Sequence, residues 1–104
     1  MPIVSSEFDA RMDMKAFVDR SRAKYAEWYV GIAAEPEERL TNEHGVQEND
    51  WYIVRRLASA EAARRVEQAL LKLGCASAAA GGPGGGDESA TAIYAYWKRD
   101  HTSP

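Results

Sequence analysis

The sequence predicts an α+β domain: a small three-stranded, mainly antiparallel sheet flanked by about three helices. Three short segments, 27–33, 50–58 and 91–99, are rich in the aromatic and β-branched residues that favour strands. The segments between them carry apolar residues at helical spacing, with capping residues at their ends. At 104 residues the chain has the size of one domain, so we expect a single core to join these elements.

The N-terminal part of the chain predicts an arm followed by a helix. Residues 1–12 have mixed polarity without a period, so we expect the folded domain to cover residues 13–99. The first helix is predicted over residues 13–25, with Asp9 or Asp13 near its start. Its apolar face would consist of Met14, Phe17, Val18 and Tyr25.

A strand, a turn and a short helix follow. The run EWYVGIA (27–33) predicts the strand. Pro36 suits the first position of a helix, and the acidic Glu37 and Glu38 complement the positive charge of a helix start. Gly45 supplies the left-handed residue with which helices commonly end.

The third helix has the clearest sequence signals. Ser59 is its predicted cap, Glu61 lies in its first turn and Gly74 follows its end. Residues 76–90 are small and glycine-rich, which predicts a flexible loop, and residues 100–104 read as a tail. The run GGPGGG in that loop lacks the lysine and the following helix of a phosphate-binding P-loop, so a connecting role is favoured. The apolar stripe of the helix is Ala63, Val66, Leu70 and Leu73.

Composition limits the classes of function. Acidic residues outnumber basic ones 16 to 13, giving a net charge of −3, so nucleic acid would have to meet a local basic patch. Arg55, Arg56 and Arg64 are the candidates for such a patch, although a solvated charged face is the alternative. No apolar run reaches the roughly 18 residues of a membrane helix, and the chain start lacks the pattern of a signal peptide. With Cys75 as its one cysteine, the chain predicts no internal disulfide and a cytoplasmic location.

The run YVG at 29–31, followed by Arg39 and then His44, resembles the second motif of the GIY-YIG nuclease superfamily. In that family the motif ends a strand, an arginine lies on the next helix, and a glutamate on a later helix completes the site. Glu67, in the run ARRVEQALLKLG, matches that glutamate. The order strand, helix, strand, helix also agrees, so the resemblance covers about half of the chain.

The first motif of the family is displaced in this chain. No GIY-like run precedes residue 27, but AIY occurs at 92–94, so we expect the last strand to lie beside the first, as in a circular permutation. The glycine-rich loop permits this return, because the entropy cost of a loop grows slowly with its length. The family's late asparagine is missing, and His44 lies one residue farther from Arg39 than in the family.

The resemblance implies a metal-dependent nucleic-acid phosphodiesterase, with DNA as a possible substrate. Arg39 would hold a phosphate oxygen, Tyr29 and Tyr94 with His44 would orient and activate water, and Glu67 would bind Mg²⁺ or Mn²⁺. These residue types suit hydrolysis, which needs a proton acceptor and stabilisation of charge on the phosphate. A phenol is a weak base near neutral pH unless a cation lowers its pKa, so the tyrosines would depend on Arg39 or the metal.

The same residues also have purely structural interpretations. Tyr29 could be an ordinary strand aromatic, and Arg39 could pair with Glu35 or Glu43, each one helical turn away. His44 could cap the negative end of its helix. These alternatives stay open at the level of the sequence.

The carboxylate and the chain as a whole have alternatives as well. Glu67 could pair with Arg64 in the preceding turn. The chain could then be a catalytically inactive GIY-YIG-like module that binds nucleic acid or a protein partner. The aromatic last strand could form a sheet edge for self-association, so the sequence allows a monomer or a weak homodimer.

Overall fold

The structure is a computed structural model and describes residues 4–76 and 89–102. A 3₁₀ turn precedes the first strand, and a π-helical turn at Arg39–Glu43 continues the short second helix. The predicted α+β class with a three-stranded antiparallel sheet is confirmed. The elements in chain order are α1 (Glu7–Ser21), β1 (Trp28–Ala33), α2 (Pro36–Glu38), β2 (Tyr52–Arg56), α3 (Ala60–Leu73) and β3 (Ala92–Trp97).

The last strand occupies the centre of the sheet. The strand order is β1-β3-β2, and β3 pairs antiparallel with both neighbours. Gly31 of β1 and Val54 of β2 both lie opposite Tyr94 of β3. The prediction that the last strand lies beside the first is therefore confirmed.

The two faces of the sheet have different partners. Val30 and Ile32 of β1 share one face of the sheet, because alternate residues of a strand point to the same side. Helices α1 and α3 cover that face. The other face carries Tyr29, Tyr94 and Tyr96 and packs against the segment that follows β1. The buried residues that this segment contributes are Leu40, His44 and Val46.

The first helix begins earlier than the sequence predicts. Ser6 is its cap, and the Ser6 Oγ accepts a hydrogen bond from the backbone N–H of Asp9 at 3.0 Å. The predicted arm over residues 1–12 is therefore wrong from residue 7 onward. The apolar Phe8 and Met12 are 62% and 48% exposed, so they lie on the solvent side and obscure the helical period.

The predicted ends of the other helical segments are confirmed. The Ser59 Oγ accepts from the N–H of Ala62 at 3.1 Å, which caps the start of α3. Gly74 ends α3 with φ +119°, and Gly45 follows the π-helical turn with φ +71°. Both glycines adopt the left-handed conformation that other residues rarely tolerate.

The predicted glycine-rich loop over 76–90 lies outside the described residues from 77 to 88. Ala76, at its start, is bound to the outer edge of β1. The N–H of Val30 donates to the carbonyl of Ala76, and the N–H of Ala76 donates to the carbonyl of Trp28, both at 2.9 Å. In the predicted tail, His101 Nε2 lies 2.6 Å from Asp50 Oδ2, so the chain returns to the loop before β2.

Neither long helix resembles a membrane span. Helix α1 has 15 residues and α3 has 14, whereas a span requires about 20 mostly apolar residues. Within residues 4–76 and 89–102, no helix is long and apolar enough to cross a bilayer.

The contact between β1 and β3 depends on a glycine. A Cβ atom built on Gly31 would lie 2.5 Å from Tyr94 Oη and 2.6 Å from Tyr94 Cζ. The Tyr94 ring therefore lies directly over the backbone of Gly31. The YVG run needs its glycine because the tyrosine of the AIY run covers it.

We expect Gly31→Ala to lower the free energy of unfolding by about 1–3 kcal/mol, because the added methyl group overpacks this contact. Urea denaturation of Gly31→Ala, Tyr94→Ala and the double variant measures the coupling between the two positions. The double variant should lose less than the two single losses added together, by about 0.5–3 kcal/mol. Strict additivity of the two losses would show that the glycine is not required by the tyrosine.

Candidate functional site

A buried histidine lies between two tyrosines on the face of the sheet away from α1 and α3. The Nε2 atom of His44 is 2.8 Å from Tyr94 Oη, and its Nδ1 atom is 3.2 Å from Tyr96 Oη. His44 is 6% exposed, and the two tyrosines are 1% exposed or less. A neutral imidazole has one N–H, so it donates to one of these hydroxyls and accepts from the other.

Local geometry brings these side chains together. Tyr94 and Tyr96 are two residues apart on β3 and therefore share a face. Tyr29 lies opposite Tyr96 on β1, and its ring centroid is 4.8 Å from that of His44. The π-helical turn places His44, whose N–H donates to the carbonyl of Arg39 at 3.1 Å. Single π-helical turns occur frequently at functional sites. These four side chains, of Tyr29, His44, Tyr94 and Tyr96, are called the tyrosine–histidine cluster below.

Burial keeps the phenols of Tyr94 and Tyr96 protonated. It raises the pKa of Tyr94, and the neighbouring Tyr29 raises it further, while Arg39 offsets part of this effect. Burial, with a further contribution from Tyr29, also raises the pKa of Tyr96. A phenolate on either residue is therefore disfavoured, because Arg39 offsets only part of the rise in the pKa of Tyr94.

Arg39 lies at the boundary between the cluster and solvent. Its side chain is 40% exposed, and its Nε is 2.7 Å from Glu43 Oε2, so one of the two structural alternatives for Arg39 is correct. Partial burial lowers the pKa of Arg39, but the attraction and hydrogen bonding of Tyr94 and Glu43 outweigh it and raise the pKa overall. Arg39 therefore connects the buried Tyr94 with the surface.

The surface beside Arg39 is acidic. A shallow pocket of about 270 Å³ adjoins it, and its lining includes Glu35, Glu38 and Glu43. Three carboxylates near one guanidinium weaken its attraction for a polyanion. A phosphate that reaches Arg39 has to compete with Glu43 for the same guanidinium.

Glu67 belongs to a different layer from the cluster. It is 1% exposed and lies on α3, at one side of the buried stripe formed by Ala63, Val66 and Leu70. That stripe packs on the face of the sheet opposite the tyrosines. The structure therefore brings Tyr29, His44, Tyr94 and Arg39 together, and it places the helix that carries Glu67 across the sheet from them.

The described residues do not form a metal centre at the cluster. Within residues 4–76 and 89–102, no group of three or more His, Cys, Asp or Glu side chains is arranged to hold a metal ion. Mg²⁺ commonly binds one or two protein carboxylates together with substrate phosphates. Glu67 does not fit that role in this arrangement, because it lies on α3, across the sheet from the Arg39 that would bind the phosphate.

The predicted basic patch is divided. Arg55 and Arg56 are adjacent on β2 and point to opposite faces of the sheet. The Nε of Arg55 is 3.0 Å from Asp13 Oδ2 on α1, and the Nη2 of Arg56 is 2.9 Å from both carboxylate oxygens of Glu37. Arg64 lines a separate groove of about 540 Å³ between α1 and α3. The three arginines therefore do not form one surface.

Sequence reasoning missed Tyr96 as a member of the cluster. Tyr96 is buried, and its hydroxyl also contacts His44. The spacing of Tyr94 and Tyr96 could have revealed this, because residues two apart on a strand share a face. The position of His44 beneath both rings depends on the π-helical turn, which the sequence does not indicate.

Comparison with protein-family models, with curated proteins and with solved structures finds no match for this chain.

We expect Tyr94→Phe and Tyr96→Phe each to lower the free energy of unfolding by about 1–3 kcal/mol, because each removes a buried hydrogen-bond partner of His44. The loss should be larger for Tyr94, whose contact with His44 is the shorter one. Urea denaturation measures it, with Tyr52→Phe as the control because Tyr52 is 41% exposed. Equal, near-zero losses in all three variants would contradict the hydrogen bonding assigned to the cluster.

The raised pKa of Tyr96 predicts a loss of stability at alkaline pH. Unfolded tyrosine titrates near pH 10, whereas folded Tyr96 keeps its proton at that pH. The stabilisation that Tyr96 provides is therefore complete below about pH 10 and decreases as the pH rises further. The difference in unfolding free energy between wild type and Tyr96→Phe should shrink between pH 8 and pH 11. A constant difference would contradict the assigned shift.

Proposed function

We propose that this chain is a GIY-YIG-like phosphodiesterase that acts on nucleic acid. The observation that supports this most strongly is the contact of Tyr94 with Gly31, because it joins the AIY run at 92–94 to the YVG run at 29–31. Two runs far apart in the sequence thus form one constellation, with His44 and Arg39 beside Tyr94.

In this proposal Arg39 binds the phosphate. Its guanidinium is planar, stays charged at any working pH and can bind two oxygens at once. Arg39 is also the most exposed of the gathered residues, so a phosphate can approach it from solvent. The phosphate would displace Glu43 and place its phosphorus near Tyr94.

His44 is the proton acceptor in this proposal, with Tyr94 as the relay. The raised pKa of Tyr94 opposes a free phenolate, but a phenol can pass its proton to His44 Nε2 while it takes one from water. This transfer requires His44 to carry its own proton on Nδ1, facing Tyr96. The resulting hydroxide would attack the phosphorus while the bond from phosphorus to the leaving nucleotide oxygen breaks, and that oxygen would take a proton from solvent. Arg39 would stabilise the charge that develops on the phosphate oxygens.

The test is cleavage of fluorescently labelled single-stranded, double-stranded and branched DNA, with Mg²⁺, with Mn²⁺ and with a chelator. We expect Arg39→Ala to lower kcat/KM by about 10²–10³-fold, because it removes a donor to the developing charge. We expect Tyr94→Phe to lower it by about 10²–10⁴-fold, because it removes the proton relay.

Arg65→Ala is the matched control for Arg39→Ala. Arg65 is also an arginine paired with a glutamate, and it lies on α3, outside the cluster and outside the predicted basic patch. Its loss should leave kcat/KM within about twofold, since exposed ion pairs contribute little. Cleavage that survives unchanged in Arg39→Ala would assign the activity to another site or to a contaminant.

The divalent cation implied by the resemblance is tested separately through Glu67. If Glu67 binds Mg²⁺ or Mn²⁺, Glu67→Gln should abolish the part of the activity that depends on the metal. A buried carboxylate that serves only the packing of α3 would instead leave the metal dependence unchanged and shift the thermal midpoint. Circular dichroism melting distinguishes the two results.

A second function, an inactive GIY-YIG-like binding module, is favoured by the acidic pocket and by the burial of the hydroxyls. The tyrosine and histidine side chains are at most 6% exposed, and glutamates surround the exposed Arg39. On this interpretation the cluster stabilises the domain, and no DNA substrate is cleaved under any metal condition. The Phe variants would then change stability alone.

A further inference from the structure

A continuous row of aromatic and cationic side chains lies at one end of the sheet. Arg20 stacks over the ring of Phe17, and Arg99 stacks over the ring of Trp97, with guanidinium-to-centroid distances of 5.4 and 4.8 Å. Between them, the ring of Trp51 is 5.2 Å from that of Phe17 and 6.3 Å from that of Trp97. These five side chains are called the aromatic row below.

The aromatic row is accessible. Trp51, at its centre, is 39% exposed, Phe17 and Trp97 are half-buried, and both arginines are exposed. Beside Phe17 and Arg20, a depression of about 490 Å³ runs along the outer edge of β2. That volume lies within the range of ligand pockets and is large enough for a nucleotide.

The arginines of the aromatic row differ from Arg39, Arg55 and Arg56. Each of those three binds a carboxylate. Within residues 4–76 and 89–102, neither Arg20 nor Arg99 forms a salt bridge, so their guanidinium groups keep N–H donors for an external anion. Asp50 lies near Arg99, but its carboxylate is already bonded to His101 and to a backbone N–H.

We propose that the aromatic row binds single-stranded nucleic acid. Bases stack on exposed aromatic rings whatever their sequence, and arginines beside the rings bind the phosphates between them. A duplex hides the faces of its bases, so the row selects an unpaired strand. The proposal extends the proposed function by naming a substrate class, and it is tested by binding rather than cleavage, so that either can fail alone.

The experiment is a titration of fluorescein-labelled oligothymidylate of 20 nucleotides, followed by fluorescence anisotropy in a chelator at low salt. We expect Trp51→Ala to weaken binding by about 5- to 150-fold, which corresponds to the loss of one base–aromatic stack. We expect the double variant Arg20→Gln/Arg99→Gln to weaken binding and to reduce the slope of log Kd against log salt by about 1–2.

The controls match each change in chemistry. Phe8→Ala removes an aromatic residue that is 62% exposed on α1 and contacts no other ring in the part of the chain that the structure describes. Lys72→Gln removes an exposed cation at the end of α3. Both should bind like wild type. A 20-base-pair duplex should bind more weakly than the single strand.

Three results would overturn the proposal. They are an absence of binding by wild type at low salt, equal affinity for duplex and single strand, and equal weakening in the control variants. Circular dichroism spectra show whether Trp51→Ala is folded. If it unfolds, the binding measured for the variant of the two exposed arginines decides the test alone. If Arg39→Ala loses cleavage but still binds the oligonucleotide, the site of cleavage at Arg39 and the binding surface at the aromatic row are distinct.

Discussion

The close contact between the Tyr94 ring and the backbone of Gly31 is the constraint on which the rest of the structure depends. The contact occurs because Gly31 of β1 lies directly opposite Tyr94 in the register that pairs β1 with β3. A shift of one residue would turn every side chain of a strand to the other face. In the observed register, Tyr94 and Tyr96 face His44, while the alternate residues Ile93 and Ala95 enter the core beneath α1 and α3.

The sequence predicted the elements whose signals are local. The caps at Ser59 and Gly74 and the stop at Gly45 were correct, because each depends on one residue and its neighbours. The start of α1 was wrong, because Phe8 and Met12 are apolar residues on the solvent side of the helix and hide its period. The pairing of the last strand with the first followed from the resemblance of two short runs to the motifs of a known family, and no local pattern would have indicated it. The position of the last strand between β1 and β2 was not predicted.

The site was also predicted only in part. Tyr29, Tyr94 and His44 come together as the motif suggested, since strand register and a short connection determine their positions. Glu67 is buried on α3, on the other side of the sheet from the tyrosine–histidine cluster. Its burial depends on how α3 is rotated about its axis, and the spacing of apolar residues in the sequence specifies that rotation only roughly. The separation of Arg55 from Arg56 follows directly from strand alternation and could have been anticipated.

The central place of the last strand also has a consequence for biosynthesis. Strands β1 and β2 are both hydrogen-bonded to β3, and they are not neighbours in the sheet. While the ribosome still holds residues 92–97, the nascent chain therefore exposes two strands whose backbone groups lack their partner in the sheet. Such unpaired strands are prone to aggregate. Helix α3 can form early from its own caps and stripe, but the sheet closes only after residues 92–97 leave the ribosome, and the speed of translation up to that point governs how long the risk lasts.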